Sequence, residues 1–258
     1  MKIVYACVLC LSLLTACARG GFMEKYFQER GLNATIVVQS LGTGREYTYN
    51  EERARTGFLP ASTFKIPNML ISLEEGALRD GNEVLRWDGT DRGRPEWNRD
   101  HTVMSAFRSS CVWCYRELVR RVGREKFTRY LALLDYGNGD AGGAADGFWL
   151  DGALRISARG QVEFMKGVIA QKFPFDKKNY AILKEAMFVE KAGECRIYAK
   201  TGLATDARPP VGWYVGYAET PDDTWLFACN LEIKTGDDAS YRKESVYEAL
   251  RTLGAIRR

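Results

Sequence analysis

The sequence predicts a mixed α/β (α+β) fold, in which strands from both ends of the chain form one central antiparallel sheet flanked by helices, with a helical lobe inserted. Residues 33–40 alternate and are rich in Ile and Val, and Gly-Thr-Gly at residues 42–44 leads from them into a second strand pattern over residues 45–49, as in a hairpin. Helical periodicity dominates residues 103–134. Strand patterns return near the C-terminus, at residues 195–201, 211–220 and 225–233. Strands at both ends with helices between them predict a single mixed sheet.

The remaining segments complete this prediction. An amphipathic helix over residues 22–30 is ended by Gly31. Other helices are predicted at residues 63–78, 158–171, 177–187 and 241–253, and loops at residues 79–95 and 136–147. Because no repeat or low-complexity linker divides the chain, one domain is expected over residues 19–258.

Length and composition fit an ordinary globular protein. The chain has 258 residues, of which 46% are hydrophobic and 27% are charged, and its formal net charge is +4. The most basic stretch, residues 116–129, also contains Glu117 and Glu125, as the solvated face of a helix does. A nucleic-acid surface would instead require a basic stripe or patch. We therefore expect no nucleic-acid partner.

The first 18 residues have the pattern of an export signal. A basic start is followed by an apolar run over residues 3–14 and then by small residues. Leu-Thr-Ala-Cys, ending at Cys17, resembles a bacterial lipobox, which would anchor the protein to a membrane through a lipid on Cys17. Ala-Cys-Ala, ending at Ala18, fits an ordinary cleavage site, which would release a soluble enzyme. Both alternatives predict export to the periplasm.

The cysteines do not form a dense disulfide framework. Three of the seven lie in the export segment, and four remain in the folded body: Cys111, Cys114, Cys195 and Cys229. Cys111 and Cys114 have the spacing of a redox motif, but the apolar, helical sequence around them predicts that they pack in a core.

The single histidine limits the chemistry that the chain can perform. His101 is predicted to lie on the surface or in a loop, far from any Gly-x-Ser-x-Gly motif. A Ser-His-Asp triad is therefore not expected, and neither is a zinc site, since one of its usual ligand types is nearly absent. A serine nucleophile in this chain would need another base.

Ser62 and Lys65 supply such a base in a Ser-x-x-Lys pattern at the start of a predicted helix. A spacing of three residues places both side chains on one face, with Cβ atoms about 5–6 Å apart. The lysine can act as a base only if burial or a neighbouring charge lowers its pKa. Taken alone, the pattern is equally typical of a helix cap followed by a surface lysine.

Further motifs follow in a fixed order. Each is weak by itself, but their order and spacing together indicate an active site: Ser110-Cys111-Val112, Tyr136-Gly137-Asn138, Phe148-Trp149-Leu150-Asp151-Gly152 and Lys200-Thr201-Gly202. The last of these ends a predicted strand, where its backbone could pair with an extended substrate.

This set of motifs resembles the class D, OXA-type, serine β-lactamases. The resemblance extends through further segments and so covers almost the whole exported chain: Trp97-Asn98-Arg99-Asp100, Ile156-Ser157, Gln161-Val162-Glu163-Phe164, Trp213-Tyr214-Val215-Gly216 and Tyr241-Arg242-Lys243. Ser-Cys-Val at the second motif, in place of Ser-Asp-Asn, favours class D over class A. The resemblance implies the fold shared by serine β-lactamases and penicillin-binding transpeptidases.

The resemblance also implies roles for individual residues. Ser62 would be the nucleophile and Lys65, converted to N6-carboxylysine by carbon dioxide, the general base. Val112 and Leu150 would line the lysine pocket, and the Trp149 indole N–H would hold the carbamate. Ser110 would relay a proton to the leaving nitrogen. Oxyanion donors would be the backbone N–H groups of Ser62 and Leu203. The substrate carboxylate would meet the Lys200-Thr201-Gly202 strand and Arg242.

The function that follows is hydrolysis of the β-lactam ring of penicillin-type antibiotics through an acyl-Ser62 intermediate, conferring resistance. Apart from carbon dioxide or bicarbonate for Lys65, no cofactor is expected, and the enzyme would be a monomer or a homodimer. Two alternatives share the serine and the lysine. A penicillin-binding D-Ala-D-Ala peptidase and a β-lactam sensor domain would both be acylated without fast turnover.

Overall fold

A computed structural model describes residues 21–256 and contains a six-stranded antiparallel sheet and a two-stranded one. The strands are β1 (Ala34–Ser40), β2 (Glu46–Tyr49), β3 (Val84–Leu85), β4 (His101–Thr102), β5 (Phe188–Ala192), β6 (Cys195–Ala204), β7 (Val211–Glu219) and β8 (Thr224–Glu232). The helices are α1 (residues 21–28), α2 (Glu51–Arg55), α3 (Lys65–Glu74), α4 (Val103–Arg108), α5 (Val112–Val122), α6 (Arg124–Leu133), α7 (Ala158–Ile169), α8 (Lys177–Met187) and α9 (Asp238–Thr252). Short 3-10 turns lie at Ala61–Phe64 and Pro95–Trp97.

The large sheet joins the two ends of the chain, which confirms the predicted fold class. Its strand order is β2-β1-β8-β7-β6-β5. β1 pairs along its whole length with β8, from Ala34 opposite Leu231 to Ser40 opposite Trp225. β5 through β8 form a meander of antiparallel neighbours.

Both faces of the sheet are buried, because alternate side chains of each strand enter different cores. Ile36 and Val38 of β1 pack in one core with residues of α1 and α9, such as Phe27 and Leu250. Val37, between them, points to the other core, which the helical lobe fills. The site described below lies on the lobe side of the sheet.

The structure differs from the prediction at several boundaries. The predicted helical region 103–134 is three helices, since Ser110 (φ 55°) and Gly123 (φ 88°) take left-handed backbone conformations that interrupt it. Helix α2 was not predicted. It begins after Asn50, whose side chain accepts a hydrogen bond from Arg53 N at 3.1 Å and so caps the helix. Strand β5, which follows α8 without a loop, was also not predicted.

The predicted position of His101 on the surface or in a loop is wrong. His101 belongs to β4 and is only 1% exposed, because β4 lies beneath the edge of Trp113, with 6.1 Å between ring centroids. Cys111 and Cys114 are fully buried, as expected for core residues, but they are joined in a disulfide. The predicted export segment, with Cys17, lies outside the described residues. Within residues 21–256, no helix is long and apolar enough to cross a membrane.

The Tyr136-Gly137-Asn138 motif fastens the loop that follows it. Asn138 uses its backbone N–H and both side-chain atoms in hydrogen bonds of 2.9 Å to residues 153 and 155. Gly137 has φ 62°, and a Cβ there would lie 2.0 Å from the carbonyl oxygen of Arg155. The backbone can approach this closely only at glycine. The motif thus closes the base of the loop that carries Trp149.

We expect Gly137→Ala to destabilise the protein by about 3 kcal/mol or more, since it adds a backbone clash to the cost of a left-handed alanine. Gly139→Ala is a matched control, because Gly139 has φ 68° and no atom within 4 Å of its ideal Cβ. That variant should lose only about 1–2 kcal/mol. Urea unfolding of both variants measures the difference, and equal losses would contradict the close approach.

Candidate active site

Ser62 lies in the 3-10 turn Ala61–Phe64, directly before α3. Ala61 has φ 47°, a left-handed conformation that costs a non-glycine residue about 1–3 kcal/mol and persists only where the surroundings enforce it. One such constraint is the hydrogen bond from Ala61 N to the carbonyl oxygen of Trp149, at 3.0 Å. The turn presents Ser62 at the wall of a cleft of about 420 Å³.

Other side chains hold this nucleophile turn from behind. The indole N–H of Trp213, in β7, donates to the carbonyl oxygen of Leu59 at 2.9 Å. Gln161, in α7, donates to Thr63 Oγ1 at 2.8 Å. The Thr63 hydroxyl in turn donates to the carbonyl oxygen of Pro60 at 2.7 Å. β7 of the sheet and helix α7 therefore both hold the segment of residues 59–63 in place.

Lys65 begins α3, and its side chain is completely buried. The Lys65 amine donates to Ser62 Oγ at 2.9 Å, as the i, i+3 spacing predicts. Its Nζ lies 5.1 Å from the centroid of the Tyr115 ring. Burial, and then the nearby charge of Lys200, hold the pKa of Lys65 well below its usual range. A neutral amine at this position can accept the proton of the Ser62 hydroxyl.

A second serine–lysine pair faces the cleft. Lys200, in β6, donates to Ser110 Oγ at 2.5 Å and to the carbonyl oxygen of Thr201 at 3.1 Å. Ser110 precedes α5 in its left-handed conformation, which turns the chain into that helix. Burial, and then the charge of Arg242, lower the pKa of Lys200 to about 7. This pair can therefore exchange a proton near neutral pH.

The end of β6 forms an open edge of the sheet. β5 pairs with β6 only as far as Tyr198, whereas β7 pairs with it on the other side as far as Ala204. A Cβ on Gly202 would lie 3.0 Å from the carbonyl oxygen of Pro60, so β6 lies directly against the nucleophile turn. Arg242 of α9 donates to the carbonyl oxygen of Gly202 at 2.8 Å, which holds the guanidinium at this edge.

The structure brings most of the predicted site residues to one cleft. Predicted residues that line it are Ser62, Ser110, Val112, Leu150, Thr201, Gly202, Leu203 and Arg242. Lys65 and Lys200 lie beneath its surface, bonded to the two serines. Trp149 does not line the cleft: it is fully buried, stacked on Phe64 with 5.2 Å between ring centroids. Trp149 thus packs against the residue that precedes Lys65 in the chain.

Several functional positions were missed by the sequence reasoning. Tyr115 was not predicted, although it follows Val112 by three residues and so lies on the same face of α5. The additional cleft-lining residues, to which no role was assigned, are Arg94, Trp97, Ser109, Arg116, Asp151, Ala204, Thr205 and Asp206. Asp151 belongs to the motif of residues 148–152 and Trp97 to a segment of the resemblance, while the others carry no motif signal. Trp97 is held there by donating to the carbonyl oxygen of Ser109 at 2.9 Å. Only the resemblance pointed to the Trp97 segment.

Comparison with known proteins agrees with this geometry. The family model for the penicillin binding protein transpeptidase domain matches residues 31–251. Beta-lactamase OXA-48 of Klebsiella pneumoniae is 39% identical over 226 residues, covering 88% of this chain and 85% of that protein. The crystal structure of FUS-1 (OXA-85), a class D beta-lactamase from Fusobacterium nucleatum subsp. polymorphum, has a TM-score of 0.89 and 36% identity, covering 92% of this chain and 99% of that one. The chain belongs to the class D β-lactamases.

The surroundings of Lys65 in this class D β-lactamase fit a carbamate. The indole N–H of Trp149 is buried, and no hydrogen-bond acceptor for it is found within residues 21–256. A buried donor without a partner costs about 1–3 kcal/mol, so the position favours an added acceptor. Carbamylation requires a neutral amine, which the lowered pKa of Lys65 provides. A carbamate would add oxygen atoms to accept this N–H.

The buried lysine makes the stability of this β-lactamase depend on pH. Folding lowers the pKa of Lys200 from 10.5 to about 7, so between these values the unfolded chain binds a proton that the folded chain lacks. The free energy of unfolding therefore increases as the pH rises above 7.

We expect Lys200→Met to reduce this increase by up to about 1.4 kcal/mol per pH unit between pH 7 and 9. Urea unfolding at a series of pH values, with Lys184→Met as the control for an exposed lysine, measures the effect. Identical slopes for wild type and Lys200→Met would contradict the lowered pKa.

Proposed function

We propose that this class D β-lactamase hydrolyses the β-lactam ring of penicillin-type antibiotics through an acyl-Ser62 intermediate and so confers resistance. The observation that carries the proposal is the 2.9 Å contact between Ser62 Oγ and the buried amine of Lys65. This amine is buried beside a second lysine, and no carboxylate within residues 21–256 is among the groups that shift its pKa. A neutral amine at this position can be carbamylated, and the carbamate would lie where it can take the proton of Ser62.

Acylation uses the groups around the cleft. Ser62 Oγ attacks the lactam carbonyl carbon while its proton passes to the carbamate that Lys65 is proposed to carry. The backbone N–H groups of Ser62 and Leu203 are the proposed donors to the developing oxyanion. As the C–N bond of the ring breaks, Ser110 gives a proton to the leaving nitrogen and regains one from Lys200, whose Nζ lies 2.5 Å away.

Deacylation distinguishes a hydrolase from a protein that only becomes acylated. A carbamate on Lys65 would supply a basic oxygen that activates water for attack on the acyl group. Trp149 would hold this group through its indole N–H, and Val112 and Leu150 would restrict solvent around it. The carbon dioxide or bicarbonate that forms the carbamate is the only cofactor proposed.

The substrate carboxylate is proposed to bind at the open end of β6. Lys200 and Arg242 place two cations there, and the Thr201 hydroxyl lines the same wall. Anions are favoured at such a site because Lys200 is buried and Arg242 is half-buried, so their charges are less screened by water than charges on the surface. Thr201, Gly202 and Leu203 would meet the extended part of the antibiotic along the strand edge.

The cellular context of this proposal comes from the sequence. Residues 1–18 are proposed to direct export to the periplasm, where β-lactam antibiotics encounter their targets. Processing at Cys17 would leave a lipid-anchored enzyme, and cleavage after Ala18 a soluble one. A monomer or a homodimer would place the complete cleft in each chain, since the site residues all come from one chain.

Steady-state hydrolysis of a chromogenic β-lactam by the purified protein, with and without bicarbonate, tests the function. Turnover that rises with bicarbonate is expected. Ser62→Ala should abolish both acylation and turnover, and Lys65→Ala should be nearly as damaging because the base is lost. A single stoichiometric burst without further turnover in the wild type would contradict the proposed hydrolase function. It would favour a penicillin-binding peptidase or a sensor domain.

We expect Trp149→Phe to slow deacylation by about 10²-fold and to make turnover depend on added bicarbonate, since the ring remains but the N–H is lost. Trp225→Phe is the matched control, because Trp225 lies near the start of β8, where it pairs with Ser40, and does not line the cleft. Pre-steady-state kinetics separate acylation from deacylation. Full activity of Trp149→Phe without bicarbonate would show that the carbamate assignment is wrong.

A further inference from the structure

Three potential metal ligands lie close together next to Ser110, outside the lining of the cleft. One ligand atom from each of His101, Cys111 and Cys114 lies within 4.8 Å of the others. All three residues are buried, with exposed fractions of 1% for His101 and 0% for the two cysteines. They come from separate elements, since His101 belongs to β4 while the cysteines begin α5. None of them takes part in the proposed reaction.

The positions of these side chains are well defined. The imidazole Nδ1 of His101 lies 3.0 Å from Ser105 Oγ, and the ring packs against Trp113. Such hydrogen bonds orient the imidazole of metal-binding histidines. Cys111 is the residue before the first turn of α5, and a helix N-terminus favours the thiolate form that binds metal. A Cys-x-x-Cys pair with a histidine is a common donor set for Zn²⁺.

The disulfide between Cys111 and Cys114 closes this site in the structure as it stands. A thiol–disulfide exchange with a dithiol would open it: the S–S bond breaks, two electrons and two protons pass to the cysteines, and the dithiol becomes a cyclic disulfide. Binding of a divalent cation then releases both thiol protons. The cleft is lined by Ser109, Ser110 and Val112, which flank the buried Cys111, so an ion would enter from the cleft when this segment opens.

We propose that His101, Cys111 and Cys114 form a binding site for one thiophilic divalent cation such as Zn²⁺, which becomes available when the disulfide is reduced, and that its occupation inhibits the enzyme.

The inhibition follows from the position of Cys111 between Ser110 and Val112. Two sulfurs in a disulfide are about 2.05 Å apart, whereas two thiolates on a tetrahedral zinc ion are about 3.7 Å apart. An ion that also binds His101 would fix both sulfurs at that separation and in directions set by the ion, which would displace the chain at Cys111 and with it the Ser110 hydroxyl that contacts Lys200. A misplacement of about 1 Å in a catalytic group can cost about 10²-fold in rate.

Cobalt binding tests the site without relying on activity. The full chain is prepared with Cys7, Cys10 and Cys17 replaced by serine, reduced with a dithiol, freed of the reductant by anaerobic gel filtration, and titrated with Co²⁺. We expect one Co²⁺ per chain with thiolate-to-cobalt charge-transfer absorption in the reduced protein, and none in the oxidised protein.

Variants identify the ligands. His101→Gln and Cys114→Ser should weaken Co²⁺ binding by about 10²-fold, since losing only the hydrogen-bond partner of a ligand costs about 10–100-fold. Cys195→Ser is the matched control, as Cys195 is a buried free cysteine outside the site, and it should bind as the parent does. Absence of the charge-transfer band in the reduced parent, or an equal band in both ligand variants, would overturn the site.

The inhibition rests on the proposed hydrolase function and is tested separately. Zn²⁺ added to the reduced parent should lower β-lactam turnover by about tenfold or more. It should leave the oxidised parent unchanged. Stoichiometric Co²⁺ binding with undiminished turnover in the presence of Zn²⁺ would overturn the inhibition. Failure of the proposed function is recognised independently, because the oxidised parent would then show no turnover.

Discussion

The buried amine of Lys65 is the constraint on which the rest of the site depends. An ammonium ion removed from water without a carboxylate partner is so unfavourable that the group gives up its proton instead. No acidic side chain is among the groups that shift its pKa, and the nearest charge that does so is that of Lys200. Both effects favour the neutral amine. Desolvation therefore keeps Lys65 unprotonated, so that under the proposed mechanism this residue can fill the place that a histidine base holds in other serine enzymes.

Water is excluded from the Lys65 amine only if the surrounding elements are held rigidly together. Hydrogen bonds from Trp213 and Gln161 attach the nucleophile turn to the sheet and to α7. The loop carrying Trp149 is closed at its base by Asn138 and bonded to Ala61. Each of these anchors is a polar group satisfied in a buried place, which both stabilises the fold and fixes its geometry.

Sequence patterns predicted the sheet, the order of the helices and the Ser62–Lys65 pair, because alternation and helical spacing are local properties. They could not predict α2, which depends on the left-handed cap at Asn50, nor the breaks in the region 103–134. The burial of His101 was missed because it depends on a contact with Trp113 made only in the folded chain. Of the site itself, the motif order indicated which residues converge, while the lowered pKa of Lys65 follows only from packing.

The lack of space for a side chain at Gly202 also limits which substitutions this enzyme can accept during evolution. A Cβ at residue 202 would lie 3.0–3.1 Å from atoms of Pro60, Thr63 and Trp213, so β6 or the nucleophile turn would have to move to accept a side chain. The position of β6 therefore limits the width of the cleft on this side. Trp97 and the start of the loop after β6, at Thr205 and Asp206, also line the cleft, and no glycine is packed in this way there. Adaptation to bulkier antibiotics would therefore reshape those two segments more readily than the strand.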